Sequence, residues 1–152
     1  GHSGEKEHTM SNAYLSLKAK HKAEIEAFPI QFAFNMKQFE EAMTNLGLGP
    51  TDTDKIYKMP GGGFIRKNDS DAFSALLDKI AAEEKAAIAA DTDGTGYIFQ
   101  MFDYELSNHE YSYTYDYTST LDALGLTLEE VEANPIMAAA FTRAVKNQLG
   151  KE

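Results

Sequence analysis

Cysteine is absent from the 152-residue sequence. That removes disulfides, thiolate metal sites and a cysteine nucleophile together, and it fits a reducing, cytoplasmic setting. Long apolar runs are missing too: none approaches the roughly 18–20 residues that a membrane helix needs. The polar, charged beginning predicts no secretory signal. The most informative shortage is of positive charge. Between Ala86 and Thr142 there is no Lys or Arg, while Asp91, Asp93, Asp103, Glu105, Glu110, Asp116, Asp122, Glu129, Glu130 and Glu132 all fall there. Residues 1–85 hold 13 acids and 11 bases, so most of the net charge of −10 arises after them. A base-free stretch of 57 residues argues against direct nucleic-acid binding, because phosphate contacts need cations. It favours a cationic partner, a metal ion or simple solubility.

What is present is a globular composition, with 43% hydrophobic residues, enough for a core in a chain of one-domain length. Gly1–Thr9 (GHSGEKEHT) reads as the remnant of an expression tag, so His2 and His8 are set aside and residues 10–152 are read as one globular domain. Spacing and residue type predict helices at Ala13–Ala27, Met36–Leu46 with Asn35 as its cap, Asp71–Ala90 and Gln100–Glu110. Thr51 and Asp52 predict a short helix through Tyr57. Thr127-Leu128-Glu129-Glu130 matches a capping box, and Asn134-Pro135 opens the last helix. Phe64–Lys67 and Tyr97–Phe99 are the strand candidates. The expected fold is mainly α, a single helical domain with a short two-stranded β element.

The sharpest local motif is Asp91-Thr92-Asp93-Gly94-Thr95-Gly96-Tyr97-Ile98. It resembles the calcium loop of the EF-hand family, in which spaced carboxylates, one backbone carbonyl and a final bidentate acid wrap the ion. The resemblance implies Asp91, Asp93, Thr95 and the carbonyl of Tyr97 as ligands. Its twelfth position is Phe102 where a Glu is expected, which removes the bidentate ligand. FEEAMTNLGLGPT, from Phe39 to Thr51, looks like the entering helix and linker of calmodulin-type proteins, and Ile65 would then pair with Ile98 as in an EF-hand pair.

Other constellations are weaker. Gly61-Gly62-Gly63 before Arg66-Lys67 lacks the Walker spacing and reads as a flexible connection. Glu105 and His109 lie one helical turn apart, with Glu110 beside them, but a zinc site needs three protein ligands. Ser107 has no nucleophile-elbow context, so acyl-transfer chemistry has no support. More telling is Tyr111-Ser112-Tyr113-Thr114-Tyr115-Asp116-Tyr117, which alternates at period two. If extended, it puts four tyrosines on one face, an acidic and aromatic stripe suited to binding.

Over nearly all of Met10–Gly150 the chain resembles an uncharacterised family of small proteins from gut bacteria and their mobile elements. The likeness rests on FPIQFAF (Phe28–Phe34), DKIY with GGFIRK (Asp54–Tyr57, Gly62–Lys67), DYELSNHEYSY (Asp103–Tyr113) and LDALGLTLEEV (Leu121–Val131). It implies no activity and no catalytic residue, and points towards inhibitors of host defence. The expectation is a non-catalytic, cytoplasmic inhibitor without cofactor, an acidic nucleic-acid mimic of the anti-CRISPR or anti-restriction type. Its partner is a basic protein surface, on a CRISPR nuclease or restriction enzyme, with no direct nucleic acid and no membrane. The binding residues are Asp103, Glu105, Glu110, Asp116, Asp122, Glu129, Glu130 and Glu132, with Tyr111, Tyr113, Tyr115 and Tyr117 as anchors. Two alternatives stand beside it: a degenerate EF-hand-like module binding calcium or a helical peptide, and a small enzyme centred on His109.

Overall fold

The computed structural model describes residues 12–150; the expected tag remnant, Gly1–Thr9, lies outside them. The described residues form eight α-helices and a three-stranded sheet, a mainly α fold. They divide into two compact units, Lys20–Ala82 (the mixed unit) and residues 12–19 with 83–150 (the helical unit). The division falls inside two helices, α1 (Ala13–Glu26) and α3 (Ser70–Ala90). No described helix is long and apolar enough to cross a membrane.

In the mixed unit, β1 (Gln31–Phe32), β2 (Ile56–Lys58) and β3 (Gly63–Arg66) pair antiparallel in the order β1-β3-β2. Only β3 matches a predicted strand. The other candidate, Tyr97–Phe99, is helical, and Ile65 pairs with Tyr57, which corrects the expected pairing with Ile98. The reason is a hairpin where a glycine break was read. The Met59 N–H donates to the Gly63 carbonyl at 2.8 Å, and Gly61 and Gly62 take φ of 88° and 86°, values that L side chains resist. Ile56 and Tyr57, β-branched and aromatic, join that hairpin instead of a helix. Only a 3-10 turn, Thr53–Lys55, stands where the short helix was expected. Phe64 and Ile56 are buried with Ala42, Met43 and Leu46 from α2 (Met36–Asn45) and its C-cap. Asn35 caps α2 as expected, its side-chain oxygen accepting the Gln38 N–H at 2.8 Å.

The helical unit is built around α4 (Tyr97–Asn108), whose Ile98, Met101, Phe102 and Leu106 recur at helical spacing and are buried. A single turn, α5 (Tyr111–Thr114), follows it. Leu121 of α6 (Thr118–Leu124) and Val131 of α7 (Leu128–Ala133) close the core. The last helix, α8 (Pro135–Leu149), brings Met137, Ala140 and Ala144 onto α4, and its two alanines let the helices approach closely. The capping box of Thr127 and Glu130 forms, and the Asn134 side chain accepts the N–H groups of Ile136 and Met137. Gly94 is required in the loop before α4. It is buried with φ 73°, and a Cβ there would stand 2.8 Å from Ile136 Cγ2.

Candidate functional site

The tyrosine run is a helical turn, not an extended ladder, which corrects the period-two stripe. The amides of Tyr113 and Thr114 both donate to the Glu110 carbonyl, and the Tyr115 N–H donates to the Tyr111 carbonyl at 2.8 Å. The backbone is thereby closed, and the four rings part company. Tyr111 is buried in the core, and its ring meets Tyr115 edge-on at 6.3 Å. Tyr117 is half-buried, edge-on to Phe141 at 5.5 Å. Tyr113 and Tyr115 face solvent, 82% and 63% exposed.

The turn is bracketed by the two non-glycine residues of positive φ among those described, Glu110 at 59° and Tyr115 at 57°. Left-handed backbone costs an L-residue roughly 1–2 kcal/mol, and a bulky residue there marks strain with a purpose or a tertiary constraint. The next helix shows the ordinary solution. α6 ends on Gly125 with φ 68° and ψ 29°, nearly the backbone of Tyr115 at 57° and 25°.

The acids divide into two groups. Asp103 is half-buried at the surface, tied to α8 by accepting from Asn147 Nδ2 at 2.8 Å and Gln148 Nε2 at 2.7 Å. Glu105 is 2% exposed. It accepts from the Tyr14 hydroxyl, with Lys18 Nζ at 3.4 Å, Asn108 Nδ2 at 3.4 Å and His109 Nε2 at 3.6 Å. Burial keeps the Glu105 carboxylate from solvent, whereas that of Asp103 is half-buried. Glu110, Asp116, Asp122, Glu129, Glu130 and Glu132 are exposed. Of these, Asp116 accepts the Thr118 N–H at 2.9 Å, and Glu130 closes the capping box. The Thr118 amide, and then its hydroxyl, hold the Asp116 carboxyl below the usual carboxylate range.

The Glu105 cluster is what sequence reading missed around the Glu105–His109 pair. Tyr14 and Lys18 lie one helical turn apart on α1, the only hint of a shared contact that the sequence offers. Burial, and then the bond to Glu105 with its negative charge, push the Tyr14 hydroxyl well above its ordinary value. Burial also pushes neighbouring Tyr97 up to about 12.

The aspartate loop serves the start of α4. Asp91 Oδ2 accepts the N–H groups of Gly96 at 3.1 Å and Ile98 at 2.9 Å, satisfying donors that a helix N-terminus leaves open. Asp93 Oδ1 accepts from the hydroxyl and amide of Thr95 at 2.7 and 3.0 Å, and both bonds hold its carboxyl below the usual range. Tyr97, whose carbonyl the EF-hand likeness assigns to the ion, opens a helix. Its carbonyl therefore runs along the helix axis towards the next turn.

Fold and site together define a small, mainly helical protein with an acidic, tyrosine-bearing surface. The chain belongs to DUF7659, a family of unknown function, which it matches over residues 13–147. No curated protein and no solved structure matches it.

Proposed function

We propose that this is a non-catalytic protein-binding module whose tyrosine turn and surrounding acids occupy a basic, nucleic-acid-binding surface of a partner. The observation that carries the reading is the turn itself. Two strained residues hold Tyr113 and Tyr115 in solvent, within 57 residues that contain no Lys or Arg. Glycine at position 115 would end the turn without the left-handed cost of roughly 1–2 kcal/mol. The edge contact of Tyr115 with Tyr111 offsets part of that cost, and at an interface the exposed rings supply large contact area with little rotamer entropy to lose.

Glu110, Asp122, Glu129 and Glu132 make no ion pair among the described residues, so their charge is available outwards. Carboxylates so placed would substitute for phosphates against Lys and Arg, giving fast association that weakens with salt. A CRISPR nuclease or a restriction enzyme is the class of partner with such a surface, and a mobile element of gut bacteria is the setting that suits an inhibitor of either. The calcium alternative lacks a bidentate acid at its twelfth position, Phe102, and in the loop Asp91 and Asp93 accept from backbone and Thr95 donors.

The test is affinity capture at low and high salt, with the released protein identified and then competed with DNA or RNA. The expected result is a nucleic-acid-binding protein that salt or polynucleotide displaces and that Tyr113→Ala with Tyr115→Ala fails to retain. Retention that neither salt, polynucleotide nor the double substitution alters rejects the reading.

A further inference from the structure

The mixed unit carries a recess of about 210 Å³ whose apolar lining residues include Ala33, Phe39, Met59 and Phe64. Gly62 and Gly63 also line it, and rings lie over both glycines. A Cβ on Gly63 would come 2.9 Å from the Phe32 ring, and one on Gly62 would come 3.1 Å from the Phe34 ring. Phe32 and Phe34 are themselves 57% and 76% exposed, with Tyr57 exposed on the neighbouring strand. Lys58 lines the same recess and makes no ion pair among the described residues.

These features set two requirements on an occupant. The volume lies below the roughly 300–1,000 Å³ of small-molecule pockets and suits one anchoring side chain. The unpaired ammonium asks for a carboxylate near that anchor. Tyr113 meets both: it projects from a one-turn helix, and exposed Glu110 and Asp116 stand three residues to either side.

We propose that the tyrosine turn of one copy docks in the recess of a second copy, with Tyr113 as anchor and Glu110 or Asp116 facing Lys58. This rests on the turn being a docking element, as in the function proposed above. Donor and acceptor surfaces differ, so each contact leaves one turn and one recess for a further contact, made reciprocally within a dimer or with a third copy. One turn covers little area, which makes the association weak and dependent on concentration. Because it uses Tyr113, it excludes binding of a partner by the same copy.

Sedimentation velocity from micromolar to millimolar protein tests it, at low and high salt. The average mass is expected to rise with concentration at low salt and to fall back at high salt. Tyr113→Ala and Phe34→Ser, both at exposed positions and each checked for an unchanged thermal melt, are expected to stay monomeric alone. Their equimolar mixture should give dimers and nothing larger, since one intact turn and one intact recess make a single contact. A monomeric wild type, association that survives Tyr113→Ala, or a mixture that stays monomeric overturns the proposal. Affinity capture separates this from the function proposed above. Phe34→Ser that loses self-association but retains the captured partner leaves both standing. Partner capture that salt, polynucleotide and the double substitution all leave unchanged, together with self-association lost in Tyr113→Ala, removes the earlier reading and keeps this one.

Discussion

The two units expose opposite things. The mixed unit is nearly balanced in charge, with nine acids and eight bases, and leaves Phe32, Phe34, Met36 and Tyr57 in solvent. The helical unit, over its described residues, has twelve acids and four bases. It buries Tyr14, Tyr97, Phe102 and Tyr111 and exposes two aromatics, Tyr113 and Tyr115. A short sheet with a five-residue core cannot cover its own aromatics, whereas a helical core of twelve buried residues can. Exposure is thus a consequence of size in one unit and of a strained turn in the other. That difference is why the turn carries the functional reading.

Substitutions that probe the contrast should differ most in stability. Phe102→Ala empties the centre of the helical core and is expected to cost about 3–5 kcal/mol in chemical denaturation. Phe34→Ser in the mixed unit should cost well under 1 kcal/mol, because surface changes usually stay within about ±0.5 kcal/mol. Near-equal losses would mean that the two units do not differ in this way.

Next in size is Tyr14→Phe, which removes a donor from buried Glu105 and should cost about 1–3 kcal/mol. The sign of its pH dependence follows from the raised value of the hydroxyl. The folded state keeps a proton that the unfolded chain gives up near pH 10. This stabilisation is complete below that pH and is lost as pH rises through the folded value. Melting temperature should therefore fall above pH 10 in the wild type and less steeply in Tyr14→Phe.

Asp91→Ala should cost about 0.5–2 kcal/mol, the range for loss of a helix cap, and by the same amount with and without calcium. A melting temperature that rises with calcium only while Asp91 is present would restore the EF-hand reading. Smallest and opposite in sign is Tyr115→Gly. It relieves left-handed strain of roughly 1–2 kcal/mol, but the freedom of glycine in the unfolded chain and loss of the Tyr111 contact take part of this back, leaving a stabilisation of up to about 1 kcal/mol while binding weakens. A destabilised Tyr115→Gly would mean that the Tyr111–Tyr115 ring contact, not presentation, explains the residue.

Much of the fold was legible because its signals are local. Asn35, Thr127 with Glu130, and Asn134-Pro135 announce helix starts through side-chain chemistry that needs only the next few residues. Of the strands, only Gly63–Arg66 was legible. Gln31–Phe32 is too short to show alternation, and Ile56–Lys58 is defined by its partner Gly63–Arg66 across a turn. The aspartate loop misled for a related reason, since the same carboxylates that would bind an ion also cap a helix. In the site, exposure of Tyr113 and burial of Tyr111 depend on the closed turn, which the alternation of tyrosines hides. Burial of Glu105 depends on a hydrogen bond to Tyr14, ninety-one positions away, beyond any spacing rule.

In the proposed function the acids of the helical unit, and not acidity in general, hold the partner. Charge reversal in each unit tests it most directly, with affinity for the captured partner measured against salt. Glu110→Lys, Asp122→Lys and Glu132→Lys change the helical unit; Glu40→Lys, Glu41→Lys and Asp78→Lys make the same change of charge at exposed positions of the mixed unit. The first set is expected to abolish binding and its salt dependence, and the second to leave both near wild type. Equal loss from the two sets, or loss from the second alone, would contradict it.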